Sequence, residues 1–188
     1  MSEIIIDNQQ KYENYKEQFK RLNRSLSNGF YLEAMFIAYA IIEDRTESIL
    51  RHGELWEAYL KKRKGKDPTL NSKITYIQGQ VNGNNKLLHR YFPDDLLEQI
   101  LQWKEDRNRL IHALLQQSLA HNEVRAIAEH GDALVKRLRT QCGKYNRAVD
   151  LQKEKANNYI FSKNCRLAYF VVFPSIGVAK SVALTAVL

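Results

Sequence analysis

A chain of 188 residues is long enough for one domain with a sizeable core, and 44% apolar with 27% charged residues is a globular composition, which excludes a disordered or fibrous protein. Lys and Arg number 29 against 21 for Asp and Glu, a formal net charge of +8, so an acidic partner is expected, and nucleic acid is the commonest. The two cysteines, Cys142 and Cys165, form no CxxC pair and imply no disulfide framework, as suits a reducing cytosol, and MSEIIIDNQQ lacks the pattern of a secretory signal.

From Asn8 to Leu26, the residues Tyr12, Tyr15, Phe19, Leu22 and Leu26 recur at three- and four-residue spacing, which predicts a one-sided helix; Ser27-Asn28-Gly29 follows as a stop and restart signal. The next stretch, FYLEAMFIAYAIIEDRTESILRHG, is the most apolar. Leu32, Met35, Phe36, Tyr39, Ile42 and Ile49 repeat with helical period, while Ala34, Ala38 and Ala40 allow close approach of a neighbour. This is the expected central core helix, broken at Gly53. ELWEAYLKKRKGKDP continues helically and ends in a basic run from Lys61 to Lys66. Such a run is ordinarily a solvated face, and Lys61, Lys62, Arg63 and Lys64 are also suited to an RNA backbone. Trp56 and Tyr59 beside it can stack bases, although aromatic residues at helical spacing are more often core.

Residues 70–91 are less patterned. NSKITYIQGQ reads as a short helix and VNGNN as a loop, and the lack of alternation around Asn82-Gly83 argues against a hairpin. FPDDLLEQILQWKEDRNRLIHALLQQ has a clear start, with Pro93 at the first helical position and Asp94 and Asp95 at the positive end. Leu96, Leu97, Ile100, Leu101, Trp103, Leu110, Ile111 and Leu114 supply its buried stripe. A last helix is expected from a cap at Asn122, with Val124, Ile127, Ala128, Leu134 and Leu138 on one side and Gly131 either tolerated or marking a bend. The expected fold is therefore all-α, an antiparallel bundle of about five helices. Composition changes near Asn157, so residues 1–156 are taken as the helical domain and 157–188 as an apolar C-terminal tail. Leu167 to Leu188 holds a single charge, Lys180, and is about long enough to span a bilayer, but Pro174, Gly177 and Lys180 interrupt its centre. A packed strand or helix and a membrane tail anchor both stay open.

The chemistry-bearing stretch is EDRNRLIHALL, residues 105–115. At about 100° per residue Asn108 and His112 nearly superimpose on a helix and Arg109 adjoins His112, whereas Arg107 lies about 140° round from His112. A bent helix, a wrapped side chain or a second subunit would close that gap. These residue types suit RNA cleavage without a metal. An imidazole, which ordinarily titrates near neutrality, takes the ribose 2′-OH proton or returns one to the leaving oxygen, and a guanidinium stabilises the charge of the phosphorane. Asn108 can orient the imidazole or bind a phosphate oxygen, and the products would be a 2′,3′-cyclic phosphate and a 5′-hydroxyl. Arg109, Lys104 and the 61–64 cations are the expected backbone contacts. His52, His89, His121 and His130 show no HExxH spacing, so neither a metal nor a cofactor is expected, and no P-loop, GxSxG or GxGxxG occurs.

The RNRLIH run in a basic, all-helical chain resembles the HEPN superfamily, whose endoribonucleases carry Arg, four to six residues, then His, commonly with Asn directly after the Arg. The resemblance covers about Gly29 to Lys155. It implies a helical bundle that dimerises, with Arg107, Asn108 and His112 as catalytic residues facing their symmetry mates across a shared cleft. It also implies an auxiliary polar residue from an earlier helix; Glu43, Asp44 and Arg45, which interrupt an apolar helix, are the candidates, their plain alternative being a polar helix edge. Some relatives have a tyrosine two residues after the His that a partner nucleotidyltransferase adenylylates, and Leu114 stands there in this chain. The function implied is that of a cytoplasmic, homodimeric endoribonuclease, a toxin with an antitoxin or other regulatory partner, or a phage-defence effector. Two other readings use the same residues differently: a non-catalytic helical RNA-binding module, and a structural or partner-binding protein held at a membrane by its tail.

Overall fold

The structure, a computed structural model, describes residues 8–83, 85–92, 94–114, 116 and 120–168. Among them the chain is all-helical: α1 (Asn8–Ser27), α2 (Tyr31–His52), α3 (Trp56–Arg63), α4 (Leu70–Val81), α5 (Lys86–Tyr91), α6 (Asp94–Ala113) and α7 (His121–Ala168). Seven helices stand where about five were expected. The six-residue α5 is too short to display an apolar stripe, and the eight-residue α3 is separated from α2 by the turn at Gly53. The predicted helix start at Pro93 and the tail beyond Ala168 lie outside the described residues, and no described helix is long and apolar enough to cross a membrane.

The chain divides into two compact units, Met1–Asp150 and Leu151–Leu188. α7 runs through Asn157, where the sequence composition changes, and in the second unit the side chains of residues 151–159 are exposed. In the first unit the core is built on α2. α1, α3 and α4 pack against it, and α4 in turn meets α5 and α6. The buried face of α2 is Ala34, Met35, Ile37, Ala38, Ile41, Ile42, Thr46, Ile49 and Leu50. This corrects the expected stripe at two positions: Leu32 and Phe36 are exposed, at 37% and 54%. A helix apolar nearly all round has more than one face to cover, and the described residues cover only part of α2. Likewise Leu114, in the turn just past the end of α6, is exposed, while Leu96, Leu97, Ile100, Trp103 and Leu110 are buried as expected.

α7 docks through aromatic contacts. Trp103 Nε1 of α6 donates to the Ile127 carbonyl at 2.9 Å, the Phe92 and Tyr145 rings meet edge-on at 5.4 Å, and the Arg139 guanidinium lies over Phe19. α7 begins at His121, so Asn122 falls inside its first turn rather than at the cap. Gly131 marks no break in the helix. Its bare Cα faces the indole of Trp103, and a Cβ built there would come within 2.6 Å of Cζ2 and 2.8 Å of Cε2. The indole is rigid, fully buried and tied to Ile127, so it has nowhere to retreat. Gly131→Ala should therefore destabilise despite alanine's better helix propensity. Against a rigid indole, overpacking costs toward the upper end of about 1–3 kcal/mol against about 1 kcal/mol of propensity gained, and thermal unfolding followed by circular dichroism should show a Tm lower by up to about 8 °C.

Candidate active site on α6 and α2

α6 turns Lys104, Arg107, Asn108 and Ile111, spaced i, i+3, i+4 and i+7, onto one half-buried face. The Arg107 guanidinium carbon lies 4.8 Å from the ring centroids of both Phe36 and Tyr39 on α2, and its Nη1 donates to Asn108 Oδ1 at 3.0 Å. Among the described residues no carboxylate pairs with it, and its Nε is buried without a hydrogen-bond partner. Burial pulls the Arg107 pKa below its ordinary value, opposed by the Tyr39 hydroxyl; burial, and then Glu43, push the Tyr39 pKa up in turn. The result is a partly desolvated cation with donor capacity to spare.

His112 occupies the last turn of α6 and is exposed. Among the described residues neither a hydrogen bond nor an ion pair engages it. The fold thus brings Arg107 and Asn108 into contact, whereas His112 keeps the solvent side of the helix. Lys104 and Arg109 carry partners: Lys104 Nζ meets Glu105 at 2.8 Å, and Arg109, 73% exposed, meets Asp106 at 3.0 Å. The exposed Arg109–Asp106 pair contributes little, whereas Lys104 is half-buried. Lys61, Lys62 and Lys64 are exposed and Arg63 is half-buried, all at the end of α3.

Glu43, Asp44 and Arg45 do not act as one group. Glu43 sits one turn after Tyr39 and reaches Lys73 of α4 at 3.7 Å; Lys73 is itself 4% exposed and is held at 3.0 Å by Glu47. A chain of neighbours therefore runs Arg107, Tyr39, Glu43, Lys73. Asp44 and Arg45 face α1 instead. They pair with each other, Asp44 also meets Lys11 at 3.1 Å, and Arg45 lies 4.1 Å over the Tyr15 ring. Asp44, Lys11, Tyr15, Ile37 and Ala40 line a cavity of about 490 Å³ between α1 and α2. The platform of Phe36 and Tyr39 and the buried Lys73 were not read from the sequence. Phe36 and Tyr39, three residues apart on the most apolar helix, were the available signal for the first, and a single lysine in NSKITY carries none for the second.

Cys142 is buried, which pushes its thiol pKa up to about 12, and it is no nucleophile at neutral pH. Among the described residues no group of three or more His, Cys, Asp or Glu is placed to hold a metal ion. Set against protein-family models, curated proteins and solved structures, the chain matched none.

The carboxylates on α2 make an acid-stability prediction. Burial works to raise the Asp44 and Glu47 pKa values, but hydrogen bonds outweigh it, from Arg45 and Lys11 to Asp44 and from Arg51 and Lys73 to Glu47, so both lie below their ordinary values. Depressed carboxylates stabilise the fold above their unfolded pKa, and that contribution is lost as pH falls through the folded value. Urea unfolding should show wild type more stable than Asp44→Asn at pH 7, with the difference shrinking below about pH 4. A difference that is constant down to pH 3 would count against this pairing.

Proposed function

We propose that the protein is a homodimeric endoribonuclease that cleaves RNA without a metal, with Arg107, Asn108 and His112 as its catalytic residues. The observation that carries this reading is the Arg107 guanidinium, half-buried over two rings, free of any carboxylate among the described residues and left with an unused buried Nε. A cation in that state favours an anion with several acceptor oxygens, and a phosphodiester is one. Asn108 fixes the guanidinium from the side, and His112 is open to solvent and to substrate. In the proposed reaction an imidazole takes the 2′-OH proton as the O2′–P bond forms, the P–O5′ bond breaks, and a proton is returned to O5′. Arg107 meets the charge that gathers on the non-bridging oxygens.

The HEPN resemblance supports the same assignment and supplies its setting, a toxin or phage-defence effector with a regulatory partner. A second copy is part of the proposal because Arg107 and His112 are about 140° apart on one helix. Leu32 and Phe36, exposed on α2 beside Arg107, offer an apolar face for that copy.

Two experiments test this. Purified full-length chain incubated with RNA in EDTA should yield 2′,3′-cyclic phosphate ends, and His112→Ala should slow cleavage by about 100-fold or more, Arg107→Ala by a similar factor. Equal cleavage by wild type and His112→Ala would remove the catalytic assignment. Light scattering after size exclusion should report a dimer, and Leu32→Glu, which leaves the Arg107 platform untouched, should shift it to monomer and lower cleavage. A dimer that survives Leu32→Glu at full activity would place the second copy elsewhere.

A further inference from the structure

The basic run at the end of α3 is more than a charged surface. Lys64 ends α3 in the left-handed conformation (φ 52°, ψ 46°), and Gly65 follows it there (φ 78°). This reverses the chain and brings α4 back against the last turn of α3. Between them lies a cavity of about 200 Å³ lined by Tyr59, Lys62, Arg63, Ser72, Thr75 and Tyr76.

The hydrogen-bond ledger separates its lining into two sets. Ser72 Oγ donates to the Thr69 carbonyl at 2.8 Å and forms the capping box that starts α4, so the Tyr59 hydroxyl, 2.6 Å away, donates to it. Ser72 and Tyr59 are thereby spent. The other set is not. The Nε of Arg63 is buried without a partner, and its Nη2 donates only to a backbone carbonyl, that of Asp67, at 2.8 Å. Among the described residues the Thr75 and Tyr76 hydroxyls have no hydrogen-bond partner. Lys62 Nζ lies 5.6 Å over the Tyr76 ring, which the edge of Tyr59 holds at 5.4 Å.

Charge points the same way. Lys61, Lys62, Arg63, Lys64 and Lys66 crowd into six positions with no acid between them, and among the described residues none forms an ion pair. Arg107 and Arg139 also lack an ion pair among the described residues but stand singly, whereas these five are consecutive but for Gly65. A concave site with two unneutralised cations and two unengaged hydroxyls is chemically a receptor for a phosphate group: the cations balance its charge and the hydroxyls and Nε donate to its oxygens.

We infer that this α3–α4 cavity binds a phosphate group of an RNA strand through Lys62, Arg63, Thr75 and Tyr76, as a second contact apart from the α6 motif. That the strand is RNA rests on the proposed function. The test uses binding rather than cleavage. Full-length His112→Ala protein is titrated into fluorescent twelve-nucleotide RNA, carrying either a 5′-phosphate or a 5′-hydroxyl, and anisotropy is followed from low to moderate salt. In that background Lys62→Glu should weaken binding about ten-fold and lower the salt slope by about one. Thr75→Val, which changes no charge on an exposed position, should weaken it several-fold. Lys66→Glu, the same charge change outside the cavity, should do less than Lys62→Glu. Dependence on the 5′-phosphate would assign the cavity to a strand end, and independence to the internal backbone. Equal effects of Lys62→Glu and Lys66→Glu, with none from Thr75→Val, would reduce the site to diffuse surface charge and overturn the inference. Cleavage by the His112-containing chain is scored separately: RNA binding that responds to the cavity variants without any cleavage would sink the nuclease and leave the pocket standing, and cleavage with binding blind to these variants would do the reverse.

Discussion

Removing a guanidinium from water without giving it a carboxylate is costly, and the arrangement around Arg107 is what offsets that cost. Two aromatic faces at 4.8 Å attract the cation, each worth about 0.5–2 kcal/mol according to how dry the contact is. Asn108 accepts one of its five N–H groups. Nothing in this set neutralises the charge. The remaining donors and the field of the cation are left for an anion that arrives from outside, and that single fact makes the α6 stretch a candidate site rather than a polar helix edge.

The position of Arg107 is in turn set by packing one turn earlier. Trp103 precedes it by four residues on the same side of α6, fully buried and hydrogen-bonded to the Ile127 carbonyl of α7. Gly131 lets α7 come close enough for that bond, with no Cβ between the helix and the indole. With Trp103 pinned, α6 has no freedom to rotate about its axis, so the face carrying Arg107 and Asn108 meets α2 at Phe36 and Tyr39. α2 itself is held from its other sides by α1 and α4 and by buried Lys73 between Glu43 and Glu47. The ordinary hydrophobic core and the unusual cation share one chain of contacts.

How much of this was legible in the residues depended on periodicity. α1, α2 and α6 announce themselves because a stripe repeated over five or six turns has no other explanation. α5 is too short to show one, and α7 begins at His121, two residues before the start that a cap at Asn122 would give. The apolar surface of α2 was visible, but not which part of it would be covered: Leu32 and Phe36 read as core because they share the period of Met35 and Ile42, and only the placement of neighbouring helices separates them. Gly131 read as a tolerated residue because a close approach by Trp103, 28 positions upstream, leaves no local trace. At the site, Arg107 and Asn108 as neighbours followed from adjacency alone. The division of Glu43 from Asp44 and Arg45 followed from helix geometry that was there to be used: consecutive residues differ by about 100°, so three in a row cannot serve one cleft.

The same angular arithmetic bears on assembly. On α6 the Arg107 direction and the His112 direction diverge by about 140°, and a helix pinned through Trp103 cannot bend to join them. The proposed dimer offers each Arg107 a second imidazole, because an isologous contact presents every motif twice. Under the proposal, an axis passing near the exposed Leu32–Phe36 side of α2 would turn each Arg107 toward the other copy. It would also cover the apolar side chains that a lone chain leaves in water, and so strengthen the cation–π contacts by excluding solvent from them. Under the proposal, association and the setting of the cation would then be linked through Phe36, which is exposed on that face and also carries the Arg107 guanidinium.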